Sequence, residues 1–136
     1  MSHASKSTES VLAAAAAASS KKAERIVILD VSNQLVITDH FLICSGNTER
    51  QVRSISEEIE RKLREERRLK PARREGERES RWIVLDFVDF VVHVFHREDR
   101  DYYDLERLWS DAPQVPFEDR WEETDESAAA EATQAS

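Results

Sequence analysis

The sequence is poor in residues that interrupt or cross-link a chain: its 136 residues include one cysteine, two glycines and three prolines. A lone cysteine, Cys44, excludes an internal disulfide framework and is typical of a reducing compartment. No run approaches the roughly 18 apolar residues of a transmembrane helix, and residues 1–24 contain none of the arginines of a transit peptide. We therefore expect a cytoplasmic protein with no membrane partner.

Acidic residues outnumber basic ones and give a formal net charge of −8. This balance argues against general nucleic-acid affinity, which depends on Lys and Arg, so no DNA partner is expected. The charge is uneven: residues 50–81 carry 12 basic and 8 acidic side chains, whereas residues 82–126 carry 4 basic and 14 acidic. The second half should prefer a basic partner. The stretch from Arg61 to Arg81 either contacts RNA or forms a solvated helix face, since glutamates are interleaved with its arginines.

Hydrophobic periodicity predicts a helix, two strands, a long helix, two or three strands and a last helix. The predicted strands are 26–31, 39–44, 81–86 and 90–95, with a short edge strand near 72–77. The long helix follows a capping-box pair, Thr48 and Gln51, and the first helix begins at Ser7 or Thr8. The last helix should align its apolar residues on one stripe: Tyr102, Leu105, Leu108 and Trp109.

This order indicates an α/β, or α+β layered, fold with a mixed sheet and helices packed on one side. Residues 1–7 are small and polar and are predicted to be a disordered N-terminus. Residues 8–112 form the one expected domain. Residues 113–136 are acidic and alanine-rich, and we expect a largely disordered tail there.

The strands 81–86 and 90–95 are close enough to form a hairpin, and their side chains carry the most informative pattern. If Phe87 and Val88 form the loop, directly opposed residues share a face. The opposed pairs are then Asp86 with Asp89, Val84 with Val91, and Trp82 with His93. One face is mixed and carries Trp82, Val84, Asp86, Asp89, Val91, His93 and Phe95. The other is purely apolar and belongs under the helices. An aromatic anchor among a few polar groups is typical of protein recognition.

Other interpretations of this face remain open. Trp82 could be ordinary core, with His93 a satisfied, partly buried imidazole. Asp86 and Asp89 could be ligands in a nucleotidyltransferase-like enzyme or nucleotide sensor, but that chemistry needs two carboxylates two residues apart and a Gly-Ser turn for the triphosphate. Here the spacing is three residues, so we expect no catalytic residue, metal or cofactor. A plain dimeric adaptor module is the remaining alternative.

Several motifs together resemble the ribosomal silencing factors, also called Iojap-like proteins. They are Leu29-Asp-Val31, Ile37-Thr-Asp39, Ile43-Cys-Ser-Gly46, Gln51-Val-Arg53, Glu75-Gly-Glu77, Trp82-Ile-Val-Leu-Asp86, Asp89, Val92-His-Val94 and Tyr103-Asp-Leu-Glu-Arg-Leu-Trp109. The resemblance covers about residues 8 to 110 in order and without large gaps. Family members often have a glycine between the two hairpin aspartates, where this chain has Val88. Valine resists positive φ, so a wider loop is possible there.

The resemblance implies an α/β domain shaped like a nucleotidyltransferase but without its active site, usually a homodimer. It also implies a non-enzymatic repressor of translation. Such proteins bind the large-subunit ribosomal protein numbered fourteen, on the inter-subunit face, and block subunit joining under starvation or in stationary phase. On this interpretation the contact residues are Trp82, Asp86, Asp89 and His93, with Tyr103 and Trp109 buttressing them.

Overall fold

A mixed sheet with helices forms the fold, as the sequence predicts. The computed structural model describes the backbone of residues 2–117 and the side chains from Lys6 onward. The helices are α1 (Ser2–Ser20), α2 (Glu49–Arg67), α3 (Arg97–Tyr103) and α4 (Leu105–Leu108). The strands are β1 (Glu24–Asp30), β2 (His40–Gly46), β3 (Arg73–Glu75), β4 (Trp82–Asp86) and β5 (Phe90–His96). Within these residues the sheet order is β1-β2-β5-β4-β3; β2 and β5 are parallel and the other pairs antiparallel.

Helix α2 begins and ends through local hydrogen bonds that its sequence encodes. The Thr48 side chain accepts a hydrogen bond from the Gln51 backbone at 3.0 Å, and the Gln51 side chain accepts one from the Asn47 backbone at 2.7 Å, which confirms the predicted capping pair. At the other end Arg68 adopts a left-handed conformation with φ 56°, and the Leu69 amide donates to the Leu63 carbonyl. This C-cap ends the helix and turns the chain toward β3.

Helix α1 begins at Ser2, so the predicted start at Ser7 or Thr8 is wrong. Alanine's high helix propensity favours the helix, and tertiary contacts reach its N-terminal half, because Ser7 is buried and its hydroxyl lies 3.0 Å from Nδ1 of the buried His40. Residues 2–7, which the sequence predicted to be disordered, are therefore helical.

The main core lies between one face of the sheet and helices α1 and α2. Buried residues of α2 contact the apolar hairpin face: Val52, Ile55, Ile59 and Leu63. Small side chains of α1, Ala14, Ala15 and Ala18, pack into the same cluster. Their size allows the two helices to approach closely while still covering apolar sheet surface, at roughly 25 cal/mol per Å² removed from water.

The hairpin between β4 and β5 has the predicted faces but a register that differs by two residues. Trp82 opposes Phe95, Val84 opposes His93 and Asp86 opposes Val91. The predicted pairing of Asp86 with Asp89 is therefore wrong. The Phe87 amide donates to the Phe90 carbonyl, which leaves Val88 and Asp89 as a two-residue turn. The wider loop expected from valine's resistance to positive φ is also absent, because Val88 adopts a φ of 75° and the two-residue turn closes.

The predicted last helix is two short helices, because Asp104 between α3 and α4 takes a left-handed conformation with φ 48°. Its predicted apolar stripe is wrong in part. Tyr102 and Leu108 are 81% and 77% exposed, while Leu105 and Trp109 pack on the sheet. Both helices lie on the face opposite α1 and α2, so helices cover one side fully and the other in part.

The start of the predicted tail is ordered against the edge of the sheet. The Asp30 amide donates to the Pro113 carbonyl, and the Val115 amide donates to the Ile28 carbonyl. Gln114 bridges Leu29 between these bonds. The rest of the tail, residues 118–136, lies outside the described residues. Among residues 2–117, no helix has the length and apolarity needed to cross a membrane.

Replacing Val88 with glycine should stabilise the protein. A β-branched residue at positive φ is strained, and relief of that strain should exceed the entropic cost of glycine, raising the free energy of unfolding by about 1 kcal/mol. Urea denaturation measures it. Glu79→Gly is the control for the entropic cost of glycine, because Glu79 is an exposed turn residue whose φ is not positive. A loss of stability in Val88→Gly comparable to the control would contradict the strain.

Candidate protein-docking face

The side of the sheet opposite α1 and α2 has an uncovered region on β4 and β5. We call this region the open face and define it by Trp82, Val84, Asp86, Val91 and His93. The observed pairings place these residues on one side of the sheet, since directly opposed residues share a face. Trp82, Val84, Asp86 and Val91 are half-buried, whereas His93 is buried.

The open face exists because the segment after β5 covers only part of this side. Leu105, Trp109 and Ala112 pack on residues of β1 and β2, forming a second apolar cluster. Trp109 meets Phe41 edge-on, with ring centroids 5.2 Å apart. Tyr103 reaches Trp82 at 4.9 Å. Tyr103 and Trp109 therefore lie at the border between the covered and the open part of this side, and their buttressing role stays a prediction.

Trp82 is held in place by its neighbours. Its ring stacks on Phe95 with centroids 4.7 Å apart, and its indole N–H donates to Nδ1 of His93 at 3.1 Å. Because Nδ1 accepts this hydrogen bond, a neutral His93 carries its proton on Nε2. Nε2 is itself buried and has no hydrogen-bond partner among the described residues. The Trp82 indole is thus packed on the sheet and partly exposed, and its role as a contact residue stays a prediction.

His93 is neutral at physiological pH. Burial lowers the pKa of its imidazole to about 4, because the buried ring is removed from the water that would stabilise the cation. The ring sits among Phe41, Trp82 and Phe95. Its role in this structure is to accept the Trp82 hydrogen bond without bringing a charge into the aromatic group.

The two hairpin aspartates, Asp86 and Asp89, differ in position and in hydrogen bonding. Asp86 lies on the open face, and its carboxylate accepts a hydrogen bond from the Val88 amide at 2.8 Å, which supports the turn. Asp89 lies in the turn, where its carbonyl accepts a hydrogen bond from the Asp39 amide at 2.8 Å. Asp89 is exposed in the turn before β5, so the structure does not place it among the β4 and β5 face residues as predicted.

Arg100 anchors the covering segment, and sequence reasoning missed it. Its guanidinium is 1% exposed and donates to the Glu24 carbonyl, the Ser45 hydroxyl and the Glu106 carboxylate. Although burial works against it, this pairing lowers the pKa of Glu106. Losing one partner of such a buried pair typically costs 3–5 kcal/mol. Arg100 thereby ties both α3 and α4 to β1 and β2, which sets the position of Tyr103.

Reactive chemistry is sparse in the described part of the chain. Cys44 is buried, and burial raises the pKa of its thiol to about 12, so it is an unreactive core residue. Among residues 2–117, no group of three His, Cys, Asp or Glu side chains could hold a metal ion. The contact roles of Trp82, Asp86, Asp89, His93, Tyr103 and Trp109 stay predictions.

Comparison with known proteins identifies close relatives. The family model described as "Ribosomal silencing factor during starvation" matches residues 4–136. The ribosomal silencing factor RsfS of Halalkalibacterium halodurans is 47% identical over 98 residues, which is 72% of this chain and 83% of that protein. A crystal structure of a Bacillus halodurans protein has a TM-score of 0.70 and 41% identity, covering 81% of this chain and 99% of its own. The mouse protein named "Mitochondrial assembly of ribosomal large subunit protein 1" is 28% identical over 92 residues, covering 66% of this chain and 40% of that protein.

The buried imidazole of His93 predicts that acid destabilises the fold. The unfolded chain takes up this proton near pH 6.5 and the folded chain only near 4, so the unfolded state binds more protons between these values. The free energy of unfolding should therefore fall as the pH falls from 6.5 to 4, by on the order of 3 kcal/mol.

Denaturant titrations at several pH values measure this dependence. His93→Gln is the test variant, because its amide oxygen can still accept the Trp82 hydrogen bond while it cannot titrate. The variant should lose a large part of the pH slope between 6.5 and 4. An unchanged slope would assign the acid sensitivity to other groups, among them His40, whose pKa burial also lowers.

Proposed function

Because the chain belongs to the ribosomal silencing factor family, as its match to the family model over residues 4–136 shows, we propose that it binds the large ribosomal subunit and blocks joining of the small one. The contact on the ribosome is the large-subunit protein numbered fourteen on the inter-subunit face. The effect is steric and involves no reaction. The protein acts in the cytoplasm and represses translation under starvation or in stationary phase.

The open face is the observation that carries this proposal. It presents an aromatic ring and two valines, all half-exposed, at the centre of a rigid sheet. Aromatic anchors surrounded by polar groups dominate the energy of protein interfaces. The other side of β4 and β5 is filled by α2, so the face is preformed and little ordering cost opposes binding.

The charge around the face fits a basic partner. Asp86 lies on it, Asp89 stands at its turn, and Glu75 of β3 is opposite Val84 on the same side. The segment after β5 adds the exposed carboxylate of Asp104, whereas that of Asp101 is paired with Arg25. Arg73, opposite Asp86, is a cation on the same side, but these carboxylates outnumber it. An excess of negative charge accelerates encounter with a basic protein, such as many ribosomal proteins, and disfavours acidic ones. The name of the mouse relative, which refers to the ribosomal large subunit, supports the choice of subunit.

Subunit joining is the direct test. Full-length protein added to separated ribosomal subunits in excess should reduce the joined particle in sucrose-gradient profiles, because the occupied inter-subunit face cannot dock. An unchanged joined peak, with the protein bound or unbound, would contradict the proposed function.

Two face variants link this effect to the open face. Val84→Arg adds bulk and a positive charge that repels a basic partner, and Trp82→Ala removes the anchor; each should weaken binding by about ten-fold or more. Ser54→Arg is the matched control, since Ser54 is also half-buried but lies on α2, on the opposite side of the sheet. Thermal unfolding confirms that the variants are folded. Equal losses in Val84→Arg and Ser54→Arg would place the contact elsewhere.

We further propose that the protein is a homodimer. Val36 and Ile37 are 101% and 81% exposed in the loop before β2. The loop adjoins the exposed Val88 through the hydrogen bond from Asp39 to Asp89, so these side chains offer an apolar surface to a second copy. Light scattering should give about twice the chain mass of 15.7 kDa. Replacing Val36 and Ile37 with aspartate should give the monomer mass, and a monomeric wild type would contradict the proposal.

A further inference from the structure

The basic side chains between Arg61 and Arg74 fall into two groups in the structure. The first group has carboxylate partners: Arg61, Lys62, Arg67 and Arg74. The second group is exposed and has no ion-pair partner among the described residues: Arg64, Arg68, Lys70 and Arg73. We call this second group the basic strip.

The interleaved glutamates do not neutralise the basic strip. Glu65 pairs with Arg61 at 2.7 Å and Glu66 with Lys62 at 3.2 Å. Each glutamate therefore reaches back one turn toward the start of α2. The cations after them, at the end of the helix and in the connection to β3, are left uncompensated. The sequence alone could not decide this, because it shows the number of charges and not their pairing.

The basic strip reaches the side of the open face at one end, Arg73. Arg64 and Arg68 are one helical turn apart at the end of α2. The chain then turns back to the sheet, where the Ala72 amide donates to the Asp86 carbonyl at 2.7 Å. Arg73 opposes Asp86 across the β3–β4 pair and so shares the side of the open face. The strip thus runs from the end of α2 to the border of the open face.

The strip is also held in shape. The left-handed Arg68, the Leu69 amide bonded to Leu63 and the half-buried Leu69 fix the end of α2. Pro71 restricts the next step, and β3 fixes Arg73. Cations near a helix C-terminus also favour the helix dipole, but this cannot account for Lys70 and Arg73, which lie beyond the helix.

We propose that the basic strip binds the phosphate backbone of ribosomal RNA beside the protein contact of the open face. The proposal rests on the proposed function and adds a second class of partner to it. The basic strip has four side-chain cations without an ion-pair partner among the described residues, so its local charge is opposite in sign to the protein's net charge of −8. The partner of the acidic face would not attract them, whereas RNA phosphates would. Arginine, three of the four, matches phosphate geometry with two donors.

The salt dependence of binding to the intact large subunit measures phosphate contacts. Each contact adds about 0.7 to 0.9 to the slope of log affinity against log salt concentration. Replacing all four strip residues with glutamine should lower that slope by about three and weaken binding by at least ten-fold at low salt. The four-fold control Arg50→Gln, Arg78→Gln, Arg97→Gln, Arg107→Gln removes the same charge from other exposed positions.

Hydroxyl-radical footprinting of the RNA in the same complexes separates RNA from an acidic protein. A wild-type footprint on the RNA backbone that the strip variant loses and the control variant keeps is the expected result. Equal slopes for the strip and control variants, or a loss of affinity without any RNA footprint, would overturn the proposal while leaving the proposed function intact. A wild-type protein that does not bind the large subunit at all would overturn both.

Discussion

The register of β4 on β5 is the constraint on which the candidate site depends. It is set where Phe87 and Phe90 close the turn around Val88 and Asp89. A shift by one residue would exchange the two faces of β4, burying Trp82 and Asp86 under α2 and exposing Ile83 and Leu85. The Val88 amide, held by the Asp86 carboxylate, helps to keep this register although valine is strained at a φ of 75°. A polar side chain of the open face thus also supports the turn that creates the face.

Sequence patterns predicted the elements well where hydrophobic period and capping agree. The period of Val52, Ile55, Ile59 and Leu63 and the Thr48 cap located α2, and β-branched runs located the four longer strands. The face assignments within the two strands of the hairpin are also confirmed, because they depend only on alternation, whereas Asp89 lies in the turn and was assigned wrongly. The register was wrong by two residues, since it requires knowing that a valine adopts positive φ. The prediction of one continuous last helix is wrong for a similar reason, because the break between α3 and α4 depends on a left-handed Asp104.

The parts of the site that sequence could not predict rest on contacts between distant residues. Arg100 bonds to Ser45 and to Glu24, 55 and 76 positions away, and no local pattern distinguishes it from the exposed Arg97 or Arg107. The ion pairs of the arginine-rich stretch also could not be predicted from the sequence. Glu60 has several basic residues near it in the chain, but it pairs with Arg74 of β3. Trp82 and His93 could be placed on one face, whereas the direct hydrogen bond between them depends on the true register.

The edges of the sheet support the proposal that a partner binds to a face of the sheet. A free strand edge would offer backbone groups to any extended chain, which invites nonspecific pairing. Here residues 113–115 pair with the outer edge of β1, and β3 has only three residues, all charged and exposed. Because neither edge offers a long free row of backbone groups, we expect a partner to bind through side chains. On the proposed function, selectivity rests on the shape around Trp82 and on the carboxylates near it, which suit a basic protein, while the unpaired cations of the basic strip suit RNA phosphates. One small domain could in this way bind protein and RNA at adjacent sites.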